Sequence, residues 1–218
     1  MMNKQVIQAG LGLAAFLIAA PSIAQNTAEQ KTYGGLEYAW VKFKDQTSIA
    51  SVLVGSVGGT ATSTQDTGIS IGRFYGGYAF TENLGLEIGY VMSGTANATF
   101  SGVARNGVAY SGNAQIKVSG VDYAAVFRPS KASGLNGLFF KLGGHSLSGD
   151  TTVSLITGAG SGAASTSVSG SGTLYGLGYE AAIAPNMAVR AAYTTYSKIA
   201  GVSGSDANIY TVGLNFKF

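Results

Sequence analysis

The last ten residues, Ile209-Tyr210-Thr211-Val212-Gly213-Leu214-Asn215-Phe216-Lys217-Phe218, alternate without a break. Tyr210, Val212, Leu214, Phe216 and Phe218 fall on one side; Thr211, Gly213, Asn215 and Lys217 fall on the other. A period of two is a strand. Soluble antiparallel sheets alternate too, but they cover the apolar face with a second layer. Chain ends in soluble domains are commonly polar and frayed, whereas this run keeps an aromatic on its apolar face to position 218. A strand that closes a barrel and turns that face to lipid accounts for both features.

The same period recurs seven times upstream. Strands are expected over residues 32–44, 68–80, 84–95, 114–128, 137–147, 173–184 and 187–197. Typical pairs of faces are Leu36, Tyr38 and Trp40 against Gly35, Glu37 and Ala39, and Leu86, Ile88 and Tyr90 against Gly85, Glu87 and Gly89. Thr81-Glu82-Asn83 and Pro185-Asn186 read as tight turns. Residues 129–136 form a shorter turn and 199–206 a moderate connection, whereas three connections are long and polar. Residues 45–67, 94–112 and 148–172 are these long connections. The last is too rich in Gly and Ser to pack a core and is costly to order. Residues 49–57 are apolar enough to extend the first strand or form a small hairpin. Connections alternate long and short, as in an up-and-down transmembrane barrel with long extracellular loops and short periplasmic turns. The fold class is therefore all-β: an eight-stranded antiparallel transmembrane β-barrel.

The first 24 residues are a different kind of segment. Lys4 is followed by an apolar core from Leu11 to Ala20, Pro21, and the small-x-small site Ser22-Ile23-Ala24. This is the pattern of a signal peptide cleaved after Ala24, too short in its apolar part for a spanning helix. Residues 25–218 then form one barrel domain. There is no Cys, so no disulfide framework. Lys and Arg number 13 and Asp and Glu 10, without a basic run, so a nucleic-acid partner is not indicated.

Sorting the mid-strand charges by face carries the argument. Glu37, Arg73, Glu87, Asp122, Lys141, Glu180 and Arg190 fall one to a strand on seven strands, each opposite the apolar face. On the lipid side a mid-depth Arg or Lys would cost roughly 2–4 kcal/mol. In the lumen the two signs can pair, which buried charges require. Tyr75, Phe139 and Tyr196 share the inner parity and are expected to pack inside. A lipocalin-like soluble barrel would reverse the two faces.

At these residues the sequence resembles the membrane domain of outer-membrane protein A and its small relatives, the opacity-like and attachment-type barrels. The stretches concerned are Phe74-Tyr75-Gly76-Gly77-Tyr78 through Leu86-Glu87-Ile88-Gly89-Tyr90, then Lys141-Leu142-Gly143-Gly144. They continue with Tyr179-Glu180 through Pro185 to Arg190 and Tyr193, and end on Asn215-Phe216-Lys217-Phe218. The resemblance implies a luminal Glu87–Arg190 salt bridge with Lys141 as an exchangeable base, and Phe218 as the signal read by the barrel-insertion machinery. It departs from the full-length relative, which continues into a peptidoglycan-binding domain, so a cell-wall tether is not expected.

The function expected is structural and surface-facing: outer-membrane integrity, contact with outer-membrane lipid and lipopolysaccharide, and loops that meet host or phage surface ligands. The alternatives are a small porin-like diffusion channel and, third, a lipid-A-modifying enzyme. For the enzyme, His145 with Ser146 and Ser148 is the only candidate. Parity turns His145 inward and Ser148 outward, and no acid lies suitably on the same face, so the hydrogen-bond reach needed for nucleophilic catalysis is missing. Gly158-Ala159-Gly160-Ser161-Gly162 lacks the Lys-Ser/Thr of a phosphate loop and reads as a flexible loop. No His, Cys or acidic cluster has metal spacing, and no cofactor is expected.

Overall fold

A computed structural model describes residues 31–42, 58–130, 134–204 and 206–218. The expected signal peptide and residues 49–57 lie outside them. Ten strands follow one another: β1 (Thr32–Lys42), β2 (Thr60–Gln65), β3 (Gly68–Ala79), β4 (Leu84–Ser93), β5 (Ala96–Val103), β6 (Ala109–Phe127), β7 (Leu138–Thr157), β8 (Gly160–Ala184), β9 (Met187–Tyr196) and β10 (Ala207–Lys217). All pairings are antiparallel. Eight strands close a ring, in the order β1-β3-β4-β6-β7-β8-β9-β10 and back to β1. The seam between first and last strands runs from Tyr33↔Lys217 to Ala39↔Thr211. Beyond it, the Phe218 amide donates to the Thr32 carbonyl at 2.9 Å.

The outward face is the apolar one. Tyr210 is 70% exposed, Leu142 69%, and Tyr38 and Trp40 57% each. Ile88, Tyr123, Tyr175 and Val212 continue the belt around the ring. An apolar surface on this scale is far beyond what a water-soluble monomer exposes, and it suits lipid. Turn chemistry sets the short ends. The Thr81 hydroxyl accepts the amides of Asn83 and Leu84 at 3.2 and 3.0 Å, and the Asn83 side-chain amide donates to the Arg128 carbonyl at 2.7 Å.

The long connections differ from the sequence expectation. Residues 148–172, expected as a long connection costly to order, are mostly strand. β7 runs 20 residues and β8 25, paired from Leu138↔Tyr179 to Thr157↔Gly160. Much of the 94–112 connection is likewise β5 and the start of β6, and β2 occupies part of 45–67. β2 and β5 prolong the β3–β4 hairpin, pairing Thr60↔Val103 through Gln65↔Ala98. One side of the barrel, β2-β5-β6-β7-β8, therefore rises far above the other. β1, β9 and β10 stay at 10 or 11 residues, about one bilayer crossing. The extra pairing was hidden because apolar residues are sparse in these segments: β5 and the start of β6 bury only Ala98, Phe100, Tyr110 and Ala114, and the start of β8 buries none. Residues 160–169 are exposed on both sides, so they show no alternation in hydropathy. The adjoining strands supply the hydrogen-bonding template.

Candidate functional site: the luminal charge cluster

Strand register brings the predicted charges into rows across the inner wall. Arg73, Glu37, Gly213, Arg190 and Glu180 are successive neighbours across β3, β1, β10, β9 and β8. One inward step from Arg73 toward the periplasmic side, Tyr75, Gly89, Asp122 and His145 form a second row across β3, β4, β6 and β7. A further step down on β4, Glu87 sits between Gly77 and Ala124. The glycines have a steric reason. A Cβ at Gly89 would stand 2.5 Å from Asp122 Oδ1 and 2.8 Å from Arg73 Nε, and one at Gly178 would collide with the Phe139 ring. Eight strands leave an interior only wide enough for side chains to fill. Small residues between charged ones let long side chains reach across it.

All seven sequence-predicted charges point inward. Glu87, Asp122 and Arg190 are fully buried; Glu37, Arg73 and Lys141 are nearly so. Glu180 keeps a little side-chain exposure. Arg73 forks onto Asp122, with Nε to Oδ2 at 2.7 Å and Nη2 to Oδ1 at 2.8 Å, and its Nη1 reaches Glu37 at 3.1 Å. The Tyr196 hydroxyl donates to Asp122 Oδ2 at 2.7 Å. Arg190 lies 2.9 Å from Glu87, 3.2 Å from Glu37 and 3.6 Å from Glu180. Lys141 Nζ is 3.6 Å from Glu37 and 3.8 Å from Glu87.

The pair implied by the resemblance, Glu87 and Arg190, is in contact but is not isolated. Glu87 also lies 3.5 Å from Arg73 and 4.0 Å from Arg128, so it is a hub facing four bases. Its contact with Arg190 is close yet off the hydrogen-bonding direction; the best-aligned hydrogen bonds belong to Arg73 and Asp122.

The residue that sequence reasoning missed is Arg128. It reaches Glu180 at 3.4 Å and stacks over the Tyr33 ring at 4.8 Å. The signal was available: Asp122, Ala124, Val126 and Arg128 share one parity. Its position beside Pro129, at the strand's end, hid its luminal role. With it, four acids (Glu37, Glu87, Asp122, Glu180) face four bases (Arg73, Arg128, Lys141, Arg190), and the cluster is formally neutral.

Aromatics fill the remaining cross-section. The Arg190 guanidinium lies between Phe139 at 4.1 Å and Tyr75 at 4.6 Å from the ring centres, an arrangement favoured by cation–π attraction. His145 is buried in the lumen, deeper than the rim position expected. Its Nε2 donates to the Ser197 carbonyl at 2.9 Å, and its ring packs on Tyr196 at 5.5 Å. Ser146 is exposed on the opposite face. Among the described residues no group of His, Cys, Asp and Glu has the arrangement of a metal site.

Residues 11–218 match the family model described as the outer membrane protein beta-barrel domain. The chain belongs to this family. Its place is accordingly the bacterial outer membrane, in agreement with the apolar belt. A search of curated proteins gives no match. Among solved structures, the chain is similar to Ail, the attachment invasion locus protein of Yersinia pestis, in complex with the heparin analogue sucrose octasulfate. Identity is 14%, over 86% of this chain and 99% of that one, with a TM-score of 0.46. It is also similar to OprG from Pseudomonas aeruginosa, at 14% identity over 86% and 96% with a TM-score of 0.43. Neisserial surface protein A gives 14% identity over 86% and 97%, with a TM-score of 0.38.

Proposed function

We propose that this protein is a non-enzymatic outer-membrane barrel with a structural and surface-interaction role, its lumen closed to solutes by the charge cluster. One observation carries the reading: eight mutually paired charges and the rings of Tyr75 and Phe139 fill adjoining rows across the interior of an eight-stranded ring. Water-filled passage needs either a wider barrel or an unobstructed section. The tall wall formed by β2, β5, β6, β7 and β8 is then the part available to host or phage ligands and to lipopolysaccharide. Export follows cleavage after Ala24, and the insertion machinery reads the Phe218 end of the seam. The geometry at His145 supports the absence of lipid-modifying chemistry, because its Nε2 is engaged by a backbone carbonyl inside the lumen.

Planar-bilayer recording of the purified full chain tests the closed lumen. The expected trace is silent or shows rare, small openings. A large, steady conductance overturns the closed-lumen reading and makes the protein a small diffusion channel. Lipid analysis after expression tests the enzymatic alternative, with unchanged lipid A expected.

A further inference from the structure

Toward the extracellular end the lumen changes character. Inward positions there are branched aliphatics. Ile69, Ile71, Val91, Val118, Leu147 and Ile209 line a cavity of about 430 Å³. This is the size of a small-molecule pocket, roughly 300–1,000 Å³. Leu147, Leu174 and Tyr196 pack together at its lower end, and the Tyr196 hydroxyl reaches Asp122, so the cavity sits directly above the charge cluster.

Most of its polar lining is already engaged. Asp66 accepts the Asn97 amide at 2.8 Å and its side-chain amide at 3.2 Å. Ser93 Oγ donates to the Gly94 carbonyl and accepts the Val118 amide, both at 2.8 Å. The Tyr196 hydroxyl is held by Asp122. Among the described residues no Lys, Arg or His lines the cavity, and the one carboxyl in its lining is that of Asp66. An anion would be buried there without a partner and beside a carboxylate, which is strongly unfavourable. An uncharged apolar molecule would meet complementary walls supplied by β1, β3, β4, β6, β7, β9 and β10. We propose that this chamber is a binding site for a small, uncharged apolar molecule, held without passage through the barrel.

The test uses the full chain, folded in phospholipid nanodiscs with labelled Ile, Leu and Val methyl groups. Naphthalene is the probe and 1-naphthoate its charged counterpart. Naphthalene should shift the methyl signals of Ile69, Ile71, Leu147 and Ile209 and saturate at one per barrel. Binding of 1-naphthoate should be weaker by about tenfold or more. Ala207→Phe, which fills the chamber from β10, should abolish saturable binding while leaving the heat-resistant barrel on gels; Ala98→Phe fills it from β5. If neither variant folds, saturation and the naphthoate comparison in the unmutated chain still decide. Shifts that rise linearly and equally at lipid-facing methyls would reduce the effect to partitioning into lipid and overturn the proposal. So would equal binding of the two probes, or through-space contacts from residues 43–57 to the chamber methyls with no response to naphthalene.

Discussion

Glu87→Gln and Arg190→Met, singly and together, probe whether the luminal charges act as one unit. Glu87 faces four bases and Arg190 faces three acids, all at 4.0 Å or less. Removing Glu87 leaves three acids against four bases; removing Arg190 leaves the reverse. Breaking a buried pair from one side costs ~3–5 kcal/mol in a dry site. The double variant restores neutrality with three of each sign. It should lose less than the sum of the two single losses, with a coupling of roughly 0.5–3 kcal/mol. A swap, Glu87→Arg with Arg190→Glu, should rescue poorly. The new Arg would stand among Arg73, Arg128 and Lys141, and the new Glu beside Glu37 and Glu180. Stability is read by urea unfolding in phospholipid vesicles, using the fluorescence of Trp40, the chain's single tryptophan and a lipid-facing one. Single losses below about 1 kcal/mol that simply add would mean hydrated, independent charges, and would refute the dry, coupled cluster.

Gly89→Ala should lower stability by about 1–3 kcal/mol, because its methyl meets Asp122 and Arg73; an unchanged urea midpoint would show that the cluster can yield there. Deleting 149–154 together with 163–168 removes six matched pairs from the β7–β8 ribbon. It should preserve the heat-resistant barrel while altering surface recognition, and loss of the folded band on gels would show that the ribbon is needed for closure. Deleting Phe218 removes its amide bond to Thr32 and should reduce outer-membrane yield while raising periplasmic aggregate, as fractionation would show. Arg128→Met should cost less than Arg190→Met, because Arg128 retains about a fifth of its side-chain exposure; equal losses would move Arg128 to the centre of the cluster.

Much of the ring was legible because a barrel wall exposes its pattern directly. Tyr38 and Glu37, or Ile88 and Glu87, differ by one position and face opposite solvents, so parity alone separates them. What parity could not supply was the partner list. Glu87 meets Arg73 and Arg128 because side chains reach across glycine-lined gaps, and no spacing along one strand encodes that reach. The cavity had a signal in the inward parity of Ile71, Leu147 and Ile209, but the charges farther down each strand dominated the reading of that face. The stretch 160–169 of the β7–β8 ribbon had none, since water on both sides removes the need for alternation.

That ribbon separates reach from chemistry. Its height is set by backbone pairing from Gly149↔Val168 to Thr157↔Gly160, while the side chains of residues 160–169 face water on both sides. Packing therefore exerts little veto over which residues stand there. Substitutions that keep the strand count and avoid Pro can repaint the surface shown to the outside while its tip stays at the same distance from the membrane. A binding partner or an antibody that recognises those side chains is recognising the most replaceable part of the molecule, carried on one of its most fixed dimensions.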